Sequence, residues 1–427
     1  MSEMNQFPIT SWLGVHAKFI RHADGTIAIE RLAEARDAGI NLIWADYDRE
    51  TNFAVLEAAE KLGMRVTVFD DRIHRAMGDA EHRRELLFDT ANDYKDYPAL
   101  FNYHIIDEPG AAAFPTLAAI REILHEADPM HEAYINLLPN YASPEQLGNP
   151  TYHAHVEAYI RSVRPEIISY DHYHFLKGEP KEEKVFTDAR EERIYNDAFS
   201  GTDGYTCLDR PGFFTNIEEI RALSLQYGIP FMVIVLVVEH GPYRNLTEQE
   251  IRWEVWQSVA YGSSRLSYFT YWTPGTDGSD GEEFWHWKNG MITVTGERTP
   301  HYEMVARINR ELVRVGGQLR GRKSLGVFHT GTTPEPLMKP FEGYGCVSAI
   351  EGDDMTVGFF EGNYVMLANK SYLEPAEVTL HTGAALEVYD AFEDTWIAVE
   401  TADGAYTIGV RRNVTRKRRN KADELGS

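Results

Sequence analysis

A chain of 427 residues exceeds one small domain and fits a barrel of roughly 250 residues with about a hundred left over. With 43 % hydrophobic and 25 % charged residues, the composition is that of an ordinary globular protein and excludes disorder over most of its length. The formal net charge of -24 repels phosphate backbones and argues against nucleic acid as a partner.

The N-terminal segment MSEMNQFPITSW lacks the basic-then-apolar order of a signal peptide. The sequence as it stands therefore reads as cytoplasmic, or as secreted or periplasmic if a leader has been removed. The longest apolar run, Phe231 to Val238, falls far short of the roughly 20 residues of a membrane helix, so a soluble protein with no membrane partner is expected. Cys207 and Cys346 are far apart in the chain and make neither a metal pattern nor a disulfide framework. Oligomeric state has no signature here.

From Ser11 to about Gly317, apolar β-branched runs alternate with segments of helical period, and eight such rounds close a parallel (β/α)8 barrel. The predicted strands are WLGVHAKF (12–19), INLIWAD (40–46), RVTVFDD (65–71), LFNYHIIDEP (100–109), HEAYINLL (131–138), EIISYDHYHF (166–175), PFMVIVLVVEH (230–240) and RLSYFTYW (265–272). Between them, amphipathic segments end in Gly39, Gly63 and Gly228, the punctuation of a helix stopping before a strand. The connection from Leu176 to Arg210 is long and charged, as expected of a cleft wall on the active-site face. Beyond a helix from His301 to Val315, short strands with a period of two predict an all-β sandwich. The expected division is a barrel over 1–320, a sandwich over 321–415 and a basic, solvated tail over 416–427 containing Arg416-Lys417-Arg418-Arg419.

In such barrels the reactive groups sit where strands run out into βα loops, and those ends are polar here: Asp107-Glu108-Pro109, Asp171-His172-Tyr173-His174, Glu239-His240-Gly241 and Tyr271-Trp272. Glycosidic bonds are cleaved by two carboxyl groups. In an eight-stranded barrel, Glu108 on the fourth strand and Glu239 on the seventh face each other across the cavity, which permits the ~5–5.5 Å of a retaining pair. Asp46, Asp107, Asp171, His172, Tyr173 and His16 are the further candidates for the substrate cleft. Trp285, Trp287 and Phe284 crowd the last loop, where rings stack on sugar faces or pack as a loop core.

A Glu ending strand four, a Glu ending strand seven, an aromatic and His strand six and a Trp ending strand eight together resemble the clan of retaining (β/α)8 glycoside hydrolases that includes β-galactosidases, cellulases and β-mannanases. The segment from Tyr268 to Leu312 is also similar to the last strand, loop and helix of β-galactosidase-like members. The resemblance implies Glu108 as acid/base, Glu239 as nucleophile and Trp272 as the platform under the sugar. It departs at Asp107, where the clan usually has an Asn that binds the 2-hydroxyl, so the sugar is left open.

The bland readings stand beside these. Asp107-Glu108-Pro109 also fits a polar loop opening, Glu239 the first solvated position after a buried strand, and Asp46 and Asp70 helix caps. Asp171 is the rival second carboxylate; paired with Glu108 at ~6.5–9.5 Å it would invert configuration. A carbohydrate-binding barrel without catalysis is the alternative from another class. His172 and His174 share a strand face, but His16 lacks a His-x-His companion, so no metal and no cofactor is expected. Trp396 and Tyr389 read as core of the second domain. The acidic surface argues against strongly anionic polymers, unless a local Arg or Lys pocket overrides it.

Overall fold

The computed structural model describes residue 4 and residues 6–184, 188–198, 204–275, 285–400 and 402–410; the basic tail 416–427 and Phe284 lie outside them. Strands β1 (Ile9–Ser11), β2 (Leu42–Asp46), β3 (Arg65–Phe69), β4 (Leu100–Asp107), β5 (Glu132–Leu137), β6 (Ile168–Asp171), β7 (Phe175–Pro180), β8 (Tyr205–Asp209), β9 (Phe231–Leu236) and β10 (Arg265–Phe269) occupy the first part of the chain. All of these except β7 and β8 close a parallel barrel in the order β1-β10-β9-β6-β5-β4-β3-β2. The run from Phe231 suits a strand covered on both faces: all six side chains of β9 are buried, and each full burial contributes roughly 1.5–3 kcal/mol.

Helices pack outside the barrel and stop at left-handed glycines. At Gly39 the φ of 81° is joined by a second constraint, since a Cβ there would sit 2.5 Å from the Asn309 Cβ. Inside the barrel, Trp12, Trp44, Tyr134, Met232 and Ile234 form an apolar plug, with the His104 ring 4.8 Å from that of Trp44. Burial pushes His104 down to about 3, so it is neutral there.

Two departures from the sequence reading bear on the site. The first strand lies at Ile9–Ser11, not 12–19; the segment WLGVHAKF instead carries Leu13 at a φ of 58° and a short turn of helix at Ala17–Phe19. The charged connection after β6 is also more than a loop. It folds as the β7–β8 hairpin, with a helix at Ala189–Ala198 between its strands.

The C-terminal part is a β-sandwich. One sheet joins β11 (Ser324–His329), β13 (Met355–Phe360) and β14 (Tyr364–Asn369); the other joins β12 (Val347–Gly352), β15 (Ala376–Thr382) and β18 (Ala405–Val410). Val347, Met355, Val357, Phe359, Val378 and Leu380 fill the space between them. β11 and β12 each carry a bulge, between Ser324 and Gly326 and between Val347 and Ala349, that breaks the period of two. β16 (Leu386–Asp390) and β17 (Thr395–Val399) form a separate hairpin. There the expectation of core fails: Trp396 is 39 % exposed, its indole N–H donating to Gln318.

Candidate active site

At the C-terminal mouth of the barrel, Trp12, Asp107, Glu108, Asn136, Asp171, Tyr173, Ile234, His240 and Phe269 line one pocket. Successive residues of a regular strand point to opposite faces, yet Asp107 and Glu108 both reach this mouth. Two local features allow it. The register of β4 on β5 slips between His104 and Ile106, a bulge that re-aims the residues beyond it, and Glu108 has a φ of 45°. That left-handed backbone costs a non-glycine residue about 1–3 kcal/mol. The Glu108 N–H is held by the Asn136 carbonyl at 2.9 Å.

Asn136 is the hub of the polar cluster. Its amide donates to Asp107 at 3.1 Å and to Asp171 at 3.0 Å, while its oxygen accepts from Ser169 at 2.8 Å. Asp171 in turn donates a hydrogen bond to Glu108. Crowding by protein atoms pushes Asp107 up to about 6. It pushes Glu108 up to about 7, and the Asp107 charge adds to that. Both side chains stay open to water at the mouth, which moderates the push. Asp171 is only 4 % exposed and is driven well above the carboxylate range by burial, then by the charges of Glu108 and Asp107. Glu108 and Asp171 therefore titrate as a pair holding a proton between them. His240 and His172 are pushed down by burial, to about 4 and about 3, and are neutral.

Of the residues singled out in the sequence, Asp107, Glu108, Asp171 and Tyr173 come together in this pocket. Glu239 does not line it. It is 3 % exposed just beyond β9, paired with Lys177 Nζ at 2.9 Å and accepting from the Asn289 amide at 3.2 Å. His172 sits behind the wall, its Nδ1 3.1 Å from Asn216 Oδ1.

Trp272 is 2 % exposed and packs on Phe19 at 5.1 Å and His16 at 6.3 Å. Phe269, three residues earlier, supplies the ring at the end of β10. His16 caps the turn at Ala17–Phe19 by accepting from the Lys18 N–H. Asp46 is exposed at the end of β2, and Asp70 caps the helix that follows β3 and pairs with Arg72 at 2.8 Å. Trp287 stacks on His240 at 4.2 Å, one layer behind the pocket.

Asn136 was missed, although the one amide in the apolar run YINLL was a signal that could have marked it. Trp12 and Phe269 were missed too: the predicted first strand began at 12, three residues after the start of β1, and the predicted last strand, which starts with β10 at Arg265, ran three residues past Phe269. Among the described residues, no group of three or more His, Cys, Asp or Glu is arranged to hold a metal ion, and no helix is long and apolar enough to cross a membrane.

No protein-family model matches the chain, and no curated protein does. Solved structures with a similar fold include three described as glycosidases. One is a GH2 β-galacturonidase from Eisenbergiella tayi, at 14% identity, 67% of this chain, 48% of that one and a TM-score of 0.39. Another is an endo-β-1,4-mannanase from Thermotoga petrophila, at 10% identity, 95% of this chain, 97% of that one and a TM-score of 0.45. A third is a GH42 β-galactosidase from G. stearothermophilus, at 11% identity, 74% of this chain, 58% of that one and a TM-score of 0.48. The chain thus spans about half the length of the galacturonidase, and what these likenesses describe is the fold.

Proposed function

We propose that this chain is a glycoside hydrolase that cleaves an O-glycosidic bond of a poly- or oligosaccharide at the barrel mouth, with Glu108 as general acid/base. The observation that carries this reading is the convergence of Asp107, Glu108 and Asp171 in a pocket walled by Trp12, Tyr173 and Phe269. Aromatic faces pack on the C–H faces of a sugar ring. A carboxyl that keeps its proton up to about pH 7 protonates a departing oxygen at neutral pH.

In this reading Glu239 is the nucleophile. The Lys177 ammonium and Asn289 amide around it are donors suited to a carboxylate, and substrate must draw Lys177 aside. Asp171 shares a hydrogen bond with Glu108, whereas the two carboxyls of a retaining pair stand apart, at ~5–5.5 Å, to flank the anomeric carbon. Its role is to orient the Glu108 proton. A second reading makes Asp171 the general base of an inverting enzyme. In its favour, Asp171 lines the pocket and Glu239 does not. Against it, the pair would have to open to ~6.5–9.5 Å to admit a water.

Hydrolysis of a panel of aryl glycosides and oligosaccharides separates these readings. Glu108→Gln is expected to lower turnover by about 10²–10⁴-fold on substrates that need an acid. Glu239→Gln is expected to abolish turnover, and the first product seen by NMR to retain the anomeric configuration. Turnover surviving Glu239→Gln, with an inverted product, moves the second role to Asp171. Sugar binding without turnover on every substrate makes the barrel a binding protein.

A further inference from the structure

The β7–β8 hairpin sets a cationic edge behind the pocket wall, and its cations do not themselves line the pocket. Its register pairs Phe175 with Asp209, Leu176 with Leu208 and Lys177 with Cys207, and the Arg210 N–H then donates to the His174 carbonyl at 2.7 Å. Three cations, Arg210, Arg244 and Lys177, are carried on this hairpin or clamped to it, and they differ in how they are engaged. Arg244 is buried and fully committed, to Glu250 at 2.6 Å, Asp209 at 3.2 Å and the carbonyls of Leu176 and Leu208. Lys177 holds Glu239.

Arg210 is half-buried and, among the described residues, has no carboxylate partner. Its neighbour Asp209 is taken by Arg244 and by the Tyr372 hydroxyl at 2.7 Å.

The Arg210 guanidinium is also held in place. It lies 3.7 Å from the centre of the Tyr141 ring and 5.5 Å from that of Tyr243, and its Nη2 donates to the Tyr243 hydroxyl at 3.4 Å. Both rings touch the pocket wall: the Tyr141 hydroxyl accepts from the Tyr173 N–H at 3.4 Å, and the Tyr243 ring lies 5.3 Å from that of Tyr173. A guanidinium stacked on a ring keeps its N–H edge turned outward, and apart from the Nη2 contact to the Tyr243 hydroxyl that edge suits charge-assisted hydrogen bonds to a carboxylate.

We infer that Arg210 is the specificity residue for a carboxylate on the substrate, so that the sugar bound at this mouth is a uronic acid; this rests on the glycosidase reading. The overall negative charge repels a long polyanion, which narrows the substrate to a short uronic-acid-bearing oligosaccharide or a single terminal uronide.

The test compares aryl glucuronide with aryl glucoside, and aryl galacturonide with aryl galactoside, in wild type, Arg210→Gln and Arg210→Lys. Charge-assisted hydrogen bonds support a preference of about 10- to 100-fold in kcat/KM for the uronide. Arg210→Gln is expected to collapse that ratio through the uronide KM, and Arg210→Lys to recover part of it. A wild type that prefers the neutral glycosides, or a Gln variant that loses both substrates equally, overturns the inference while leaving the glycosidase reading standing. Calorimetric titration with free glucuronate and galacturonate, against glucose and galactose, reads the site without turnover. Uronate binding that disappears in Arg210→Gln sustains the anion site even if no glycoside is cleaved; equal or absent binding of both kinds, without turnover, overturns both readings.

Discussion

A proton held among three carboxyls responds to each charge beside it, and the neighbours of Glu108 act in opposite directions. The crowding of protein atoms and the Asp107 charge raise it, while the hydrogen bond from Asp171 lowers it. As the acid, Glu108 works only while protonated, so kcat/KM should fall as pH rises through about 7. Asp107→Asn removes the charge but keeps the shape, and should move that alkaline limb to lower pH by on the order of half a unit to one unit. A limb that stays in place would mean that the group titrating there is not Glu108. Stability gives an independent check. The folded pKa of Asp171 lies above its unfolded value of about 3.9, so its contribution is fully present below that value and is lost as pH rises through the titration of the Glu108–Asp171 pair. Asp171→Asn cannot ionise and can still donate to Glu108. It should therefore raise Tm at pH 8 and leave Tm at pH 4 nearly unchanged; an equal shift at both pH values would show that packing, not charge, was altered.

The β7–β8 hairpin is the element on which the cationic edge depends, and Arg244 is its clamp. With 6 % of its surface exposed, Arg244 joins Glu250, itself part of the capping box with Thr247, to both strands of the hairpin. Arg244→Met would leave Glu250 buried without its partner, a loss of about 3–5 kcal/mol. It should also loosen the hairpin, seen as new proteolytic cuts between 176 and 210. A variant as resistant as wild type would place the hairpin's stability elsewhere. This element also marks where sequence reading stops. The barrel was legible because continuous apolar runs such as Phe231 to Val238 and the glycine helix stops are local signals. Glu108 was legible because an acid at a strand end is a positional signal. The hairpin was not, since its strand YTCLD is mostly exposed and its partner FLKGEP runs from buried through half-buried to exposed with no alternation. The presence of Phe269 where Trp272 was expected turned on where β10 ends, a boundary set by its pairing with β9 from Arg265 to Phe269 and not by composition.

At the scale of the whole molecule, the sandwich braces the site. The helix Glu248–Ala260 lies between them: Trp253 stacks on His174 at 4.6 Å and donates its indole N–H to the Lys370 carbonyl at 3.0 Å. Gln257 donates to the Asn369 carbonyl at 2.9 Å. Tyr372, just past β14, reaches the hairpin itself, with its hydroxyl on Asp209 and its ring 5.2 Å from Phe175. Among the described residues, those of the sandwich contribute nothing to the pocket lining, and we propose that they support the site by bracing it. A tight approach is at Gly358 in β13, where a Cβ would stand 2.1 Å from the Ala260 carbonyl oxygen. Backbone faces backbone there, and neither side can yield without moving a strand or a helix. Gly358→Val should therefore prise the sandwich from the helix and lower Tm. Because Trp253 and Tyr372 are displaced with it, the variant should also lose activity, although the substitution lies outside the barrel. In wild type, unfolding followed by tryptophan fluorescence and by far-UV circular dichroism should coincide in one transition; in Gly358→Val the fluorescence change should come first. Coincident curves at an unchanged Tm would show that the two halves are only loosely joined, and the bracing role would fall with that result.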